Sequence, residues 1–183
     1  MTTSVNHTNS PEINTPLDWR TIDTSTPDGL KALDYYIGYR LGYRVVKRPT
    51  GYGDDYWRLE APDGSYHGAG SEDPAEAPFT SRNNRNSPGA NPDLYLKCFS
   101  TDVQDALTLV PDRTSGIEFT LTRQFSRDHQ NDWLATFTNY FKNVSASSST
   151  PALAICDAWC IFDGMFEWDA PQQPHSSERG GGE

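Results

Sequence analysis

A chain of 183 residues with 35% hydrophobic residues and a mean hydropathy of −0.71 has room for one domain with a modest core and polar tails. Its formal net charge of −10 works against duplex nucleic acid, where Lys and Arg must neutralise phosphates, and against anionic membrane surfaces. Three cysteines form no disulfide framework, and no apolar run has the length of a membrane span or the pattern of a secretory leader, so a reduced, cytoplasmic protein is expected.

Residues 1–25 are polar and lack apolar periodicity, so they read as a disordered tail, as does 169–183 with its Gln, Ser and Gly content. The domain is expected over 26–168. Its first helix starts at Thr26 as N-cap with Pro27 at the first helical position, buries Leu30, Leu33, Ile37 and Leu41, and stops at Gly42. Strands at 43–47 and 56–60 follow, joined by a polar turn at 48–55, and Ala61-Pro62-Asp63-Gly64 closes the second. The stretch 65–93, rich in Gly, Pro, Asn and acid, reads as a long disordered loop.

A second helix is expected from Thr101, with Thr101 and Gln104 forming a capping box and Pro111 stopping the run. Alternating apolar residues predict strands at 117–122 and 133–138, paired as a hairpin, with 143–149 as a polar link. The third helix starts at Thr150 and Pro151 and is apolar around most of its circumference, so it should be central. The order α-β-β-α-β-β-α with two local hairpins predicts an α+β fold: a helix–sheet–helix sandwich around one four-stranded antiparallel sheet.

Phe99-Ser100-Thr101-Asp102 resembles the Tyr-Ser-Thr-Asp element of the phage ABA sandwich domain, and Ala152-Leu153-Ala154-Ile155-Cys156 resembles that family's closing helix. The opening helix around Leu33 to Leu41, Trp57-Arg58-Leu59 and Pro62-Asp63-Gly64 fall where the family would place them, so the similarity spans roughly 29–165. The long insert before Leu94 and the 143–149 link depart from it. The resemblance implies a phage or prophage origin and a sandwich fold; it implies no catalytic residues and makes an anti-defence role an expectation by association.

The residues that carry chemistry elsewhere have plainer roles here. Ser100-Thr101-Asp102 caps a helix and has no nearby histidine as general base. Cys156 and Cys160, four apart on one helix, lack two further zinc ligands and read as packing residues. The acidic loop residues do not follow calcium-loop spacing, so no metal and no cofactor is expected. One basic cluster, Arg40, Arg44, Lys47 and Arg48, reads as a solvated helix end and strand face, with a small anionic or nucleotide-like ligand as its functional alternative. The sequence therefore points to a non-enzymatic accessory protein that binds a host or phage protein through loops and exposed aromatics, with room for self-association; small-ligand sequestration is the second reading.

Overall fold

A computed structural model describes residues 18–49, 55–66, 70–80, 96–125 and 132–167. The element order is α1 (Pro27–Arg40), β1 (Arg44–Pro49), β2 (Asp55–Glu60), α2 (Val103–Leu107), β3 (Glu118–Arg123), β4 (Trp133–Thr138), β5 (Asn143–Ser148) and α3 (Pro151–Glu167). The fold is α+β. Its strands form two antiparallel sheets, β1-β2 and β3-β4-β5, and not the single four-stranded sheet expected from the hairpins.

Two physical facts separate the sheets. The outer edge of β2 is occupied by its own downstream chain: Trp57 and Ser71 exchange backbone hydrogen bonds at 2.8 and 2.9 Å, and Glu60 bridges to Tyr66. Residues 70–80 of the expected loop are thus packed turns, with Ala77 and Pro78 buried; 81–93 lie outside the described residues. The second fact is β5, which occupies the segment expected to be a polar link. Asn143-Val144-Ser145-Ala146-Ser147-Ser148 is poor in large apolar residues, yet Val144 and Ala146 alternate inward beside Phe137 and Ala135. Small side chains suffice because α3 lies directly over β4 and β5.

The helix ends follow local chemistry. Thr26 Oγ1 accepts from the Gly29 N–H at 3.0 Å and Thr150 Oγ1 from the Leu153 N–H at 3.2 Å, as expected for caps. Gly42, at φ +99°, ends α1: the Tyr43 N–H donates to Gly38 O at 2.9 Å and the Gly42 N–H to Tyr39 O at 3.1 Å, the paired bonds of a Schellman end. The cap of α2 differs from expectation. Asp102, not Thr101, is the N-cap, accepting from the N–H groups of Gln104 at 2.8 Å and Asp105 at 3.4 Å. A carboxylate also suits the positive end of the helix better than a hydroxyl does.

One core joins these parts. Leu33 and Ile37 of α1, Val45 and Leu59 of the first sheet, Leu96 and Phe99 before α2, Phe137 of β4 and Ile155 of α3 belong to a single buried cluster. Gly38 allows a close approach within this core: a Cβ there would fall 2.3 Å from Leu96 Cδ1. Residues 18–25, expected within the N-terminal tail, instead carry a 3-10 turn at Trp19–Thr21, and Trp19 and Ile22 pack on the core. The tail segments 1–17 and 168–183 lie outside the described residues.

The cap geometry makes a measurable distinction. Asp102→Ala should lower the unfolding free energy by about 1 kcal/mol, whereas Thr101→Ala, which removes an exposed hydroxyl, should change it by no more than a few tenths of that. Urea unfolding of the two variants beside the parent checks the order.

Candidate functional site

The four basic residues do not converge. Arg40 turns towards α3, where its Nε lies 2.8 Å from Asp163 Oδ2. Arg44 completes the end of α1: its Nη1 donates to Tyr39 O and Tyr43 O, both at 2.7 Å, and its guanidinium stacks 3.9 Å from the Tyr39 ring centre. Burial pushes the neighbouring Tyr35 phenol up to about 12, against the opposing pull of the Arg44 charge. Strand alternation puts Lys47 on the other side of β1 from Arg44 and Arg48, and its Nζ pairs with Asp55 Oδ2 at 3.3 Å. Arg48 Nη2 pairs with Glu60 Oε2. Three of the four cations therefore face a carboxylate, and the fourth serves backbone carbonyls at and just beyond the end of α1.

The serine and cysteine candidates are engaged in structure. Ser100 is buried: its N–H donates to Asp34 Oδ1 at 2.7 Å and its hydroxyl to Leu30 O at 3.2 Å. Asp105 repeats the device nearby, its Oδ2 accepting the Cys98 N–H at 2.8 Å. Cys156 and Cys160 are fully buried on α3, and burial pushes both thiols upward, which keeps them protonated and unreactive. Among the described residues there is no group of three His, Cys, Asp or Glu side chains arranged to hold a metal.

The exposed chemistry lies at the turn joining β4 to β5. Asn139 organises it: its N–H donates to Lys142 O at 2.9 Å, and its Oδ1 accepts from the N–H groups of Phe141 at 3.0 Å and Lys142 at 2.7 Å. Lys142 Nζ reaches Met165 O, 3.4 Å away in the last turns of α3. Held by this frame, Tyr140 is 90% exposed and Phe141 92% exposed, side by side. Beside them is an open groove of about 720 Å³, walled by Val110, Pro111, Ile117, Phe119 and Tyr140. Two adjacent aromatics thus stand exposed on a hydrogen-bonded turn, and one of them, Tyr140, walls the groove together with apolar residues and with Glu118, Thr120 and Thr138.

Sequence reasoning had anticipated exposed aromatics only in general terms. The specific signal was present: Tyr140 and Phe141 break the strand alternation and sit between Asn139 and Lys142, in a turn rather than on a strand. Asp34 and Asp105 gave no signal, because an acidic residue inside an amphipathic pattern normally marks the solvent side.

Asp157, on the half-buried side of α3, titrates unusually: burial raises its carboxyl to about 6. The folded state then holds a proton that the unfolded state has released between about pH 4 and pH 6. On this group's account stability falls as pH rises through that window, and the cost persists above it. Asp157→Asn should therefore stabilise the protein at pH 7, by about 1 kcal/mol once partial solvent access is allowed for, and should flatten the loss between pH 4 and 6. Thermal unfolding across pH 3.5–8 measures both.

Compared with known proteins, the chain matches no family model, no curated protein and no solved structure.

Proposed function

We propose that this chain is a non-enzymatic interaction module that docks a partner protein through the Tyr140–Phe141 turn. The observation that carries the reading is the near-complete exposure of two neighbouring aromatics on a turn fixed by three hydrogen bonds. Aromatic side chains supply much contact area for little rotamer entropy, and a preformed backbone lowers the ordering cost of association. The groups that would otherwise suggest catalysis have structural duties: the Ser100 hydroxyl holds Leu30 O, and the buried thiols stay protonated. The ion pairs at Arg40, Lys47 and Arg48 weigh against the alternative of a small anionic ligand, which would have to displace Asp163, Asp55 and Glu60.

The resemblance of Phe99-Ser100-Thr101-Asp102 and Ala152-Leu153-Ala154-Ile155-Cys156 to phage ABA sandwich elements supplies the biological setting of the proposal. That setting is a phage or prophage accessory protein in the cytoplasm of a bacterial host, its partner a host protein, with components of host defence as the first candidates.

The double variant Tyr140→Ser/Phe141→Ser separates binding from folding. It should melt within a degree or two of the parent, since neither ring is packed. Its affinity for a partner isolated with the parent should fall by roughly 30-fold or more, the loss expected when about 2 kcal/mol of hot-spot contact is removed. Unchanged affinity in a calorimetric titration would overturn the assignment of the turn.

A further inference from the structure

The sheet β3-β4-β5 is incompletely covered. Helix α3 lies over β4 and β5, and β3 forms an edge whose only strand neighbour among the described residues is β4. The inward side chains of that edge, Ile117, Phe119 and Leu121, stay half-exposed, and the same face continues through the exposed Arg123 to Phe125, which is 80% exposed. Phe125 follows the last ladder bond, from the Gln124 N–H to Asp132 O at 2.7 Å, so it extends the strand direction beyond the sheet. An edge carrying apolar side chains on one side invites another strand.

We infer that this edge is an interface between two copies of the chain, in which β3 pairs antiparallel with β3 of the second copy to make one six-stranded sheet. This inference does not rest on the role proposed for the Tyr140–Phe141 turn. Its argument is self-complementarity, which a two-fold interface requires. Opposite residues of an antiparallel pair share a face, so the pairing centre must be a residue. Centred on Leu121, the register sets Leu121 against Leu121, and Ile117 against the second copy's Phe125. It also sets Phe119 against the second copy's Arg123, whose guanidinium already stacks 5.3 Å from its own Phe125 ring and 5.9 Å from Trp133.

Each copy's exposed Phe125 thereby enters the other's groove beside Ile117 and Phe119. On the outer side Thr120 meets Thr122, and Glu118 meets Gln124, so no like charges face each other. Two seated phenyl rings, at roughly 200 Å² each, supply about a quarter of the 1,600 Å² that standard interfaces bury. The paired strands and groove walls extend it.

Sedimentation equilibrium of the full chain tests the pairing, in about 0.15 M salt to screen the −10 charge of each copy. The parent should sediment as a dimer at tens of micromolar. Thr120→Lys/Thr122→Lys and Thr120→Glu/Thr122→Glu replace exposed hydroxyls of β3, that of Thr120 at the rim of the groove, and each alone should be monomeric with unchanged melting. Mixed in equal amounts, the basic and acidic variants should regain the dimer mass. Phe125→Ser, a second route that leaves the strand untouched, should weaken the parent dimer at least tenfold. A parent that stays monomeric to several hundred micromolar overturns the inference, including the case in which β3 instead takes a strand from another protein. Dimers of undiminished strength in either double variant, or failure of the mixture to associate, overturn it as well.

Discussion

The structure turns on a buried carboxylate. Asp34 sits in α1 at 2% exposure, and its Oδ1 accepts the N–H of Ser100, sixty-six residues further on, at 2.7 Å. A carboxyl group out of water is tolerated only with its hydrogen-bond partners in place. The bond therefore fixes α1 against the segment that leads into α2, and the Ser100 hydroxyl adds a second tie to Leu30 O. Between these ties, Leu96 and Phe99 are placed in the core beside Leu33 and Ile37. Asp105 holds the same segment from the other side through the Cys98 N–H. Apolar contacts tolerate small slips, but a carboxylate that slips loses its donor, so the polar bonds set the register that the apolar core fills.

Helix α3 takes its position from the same centre. Asp34 is close enough to Cys156 to contribute to holding that thiol protonated, and Arg40, six residues further along α1, pairs with Asp163. Beneath α3, Ala135 faces Ala146 across the strands, and Phe137 packs its ring 5.5 Å from that of Phe162. A single helix of about 10 Å diameter spans two strands at their usual spacing and leaves the third only partly covered. The half-exposed edge at β3 is thus a consequence of having one helix on a three-stranded sheet.

Much of this was legible in the sequence where a local rule decides the outcome. Thr26, Pro27, Thr150 and Pro151 mark helix starts by capping chemistry, Gly42 marks an end that requires positive φ, and Trp133 to Thr138 alternates as a half-buried strand must. What failed were features set by tertiary context. β5 was hidden because Ser147 and Ser148 look like a linker until α3 lies over their strand. The division into two sheets depended on Ser71 and Tyr66 taking the free edge of β2, which no strand pattern encodes. The α2 cap moved by one residue because Thr101 and Asp102 both satisfy the local rule, and only the backbone path out of Ser100 selects between them. For the basic cluster, the residues were readable but their partners were not: Asp163 lies more than a hundred positions from Arg40.

Function follows the same division. Among the described residues, the buried polar groups Asp34, Ser100 and Asp105 hold the interior together, and the surface carries a hydrogen-bonded aromatic turn and the β3 edge, whose one described strand neighbour is β4. The claim beneath both is that Asp34 fixes the frame from which α3, and then the sheet, are hung. Native-state hydrogen exchange at the Ser100 amide tests it directly, because that N–H lies in a connecting segment outside any regular element, where exchange is usually fast. The account predicts that the Ser100 amide exchanges only through global unfolding, with the same free energy as the core amides of α3. Exchange through a low-energy local opening, while α3 stays protected, would contradict it.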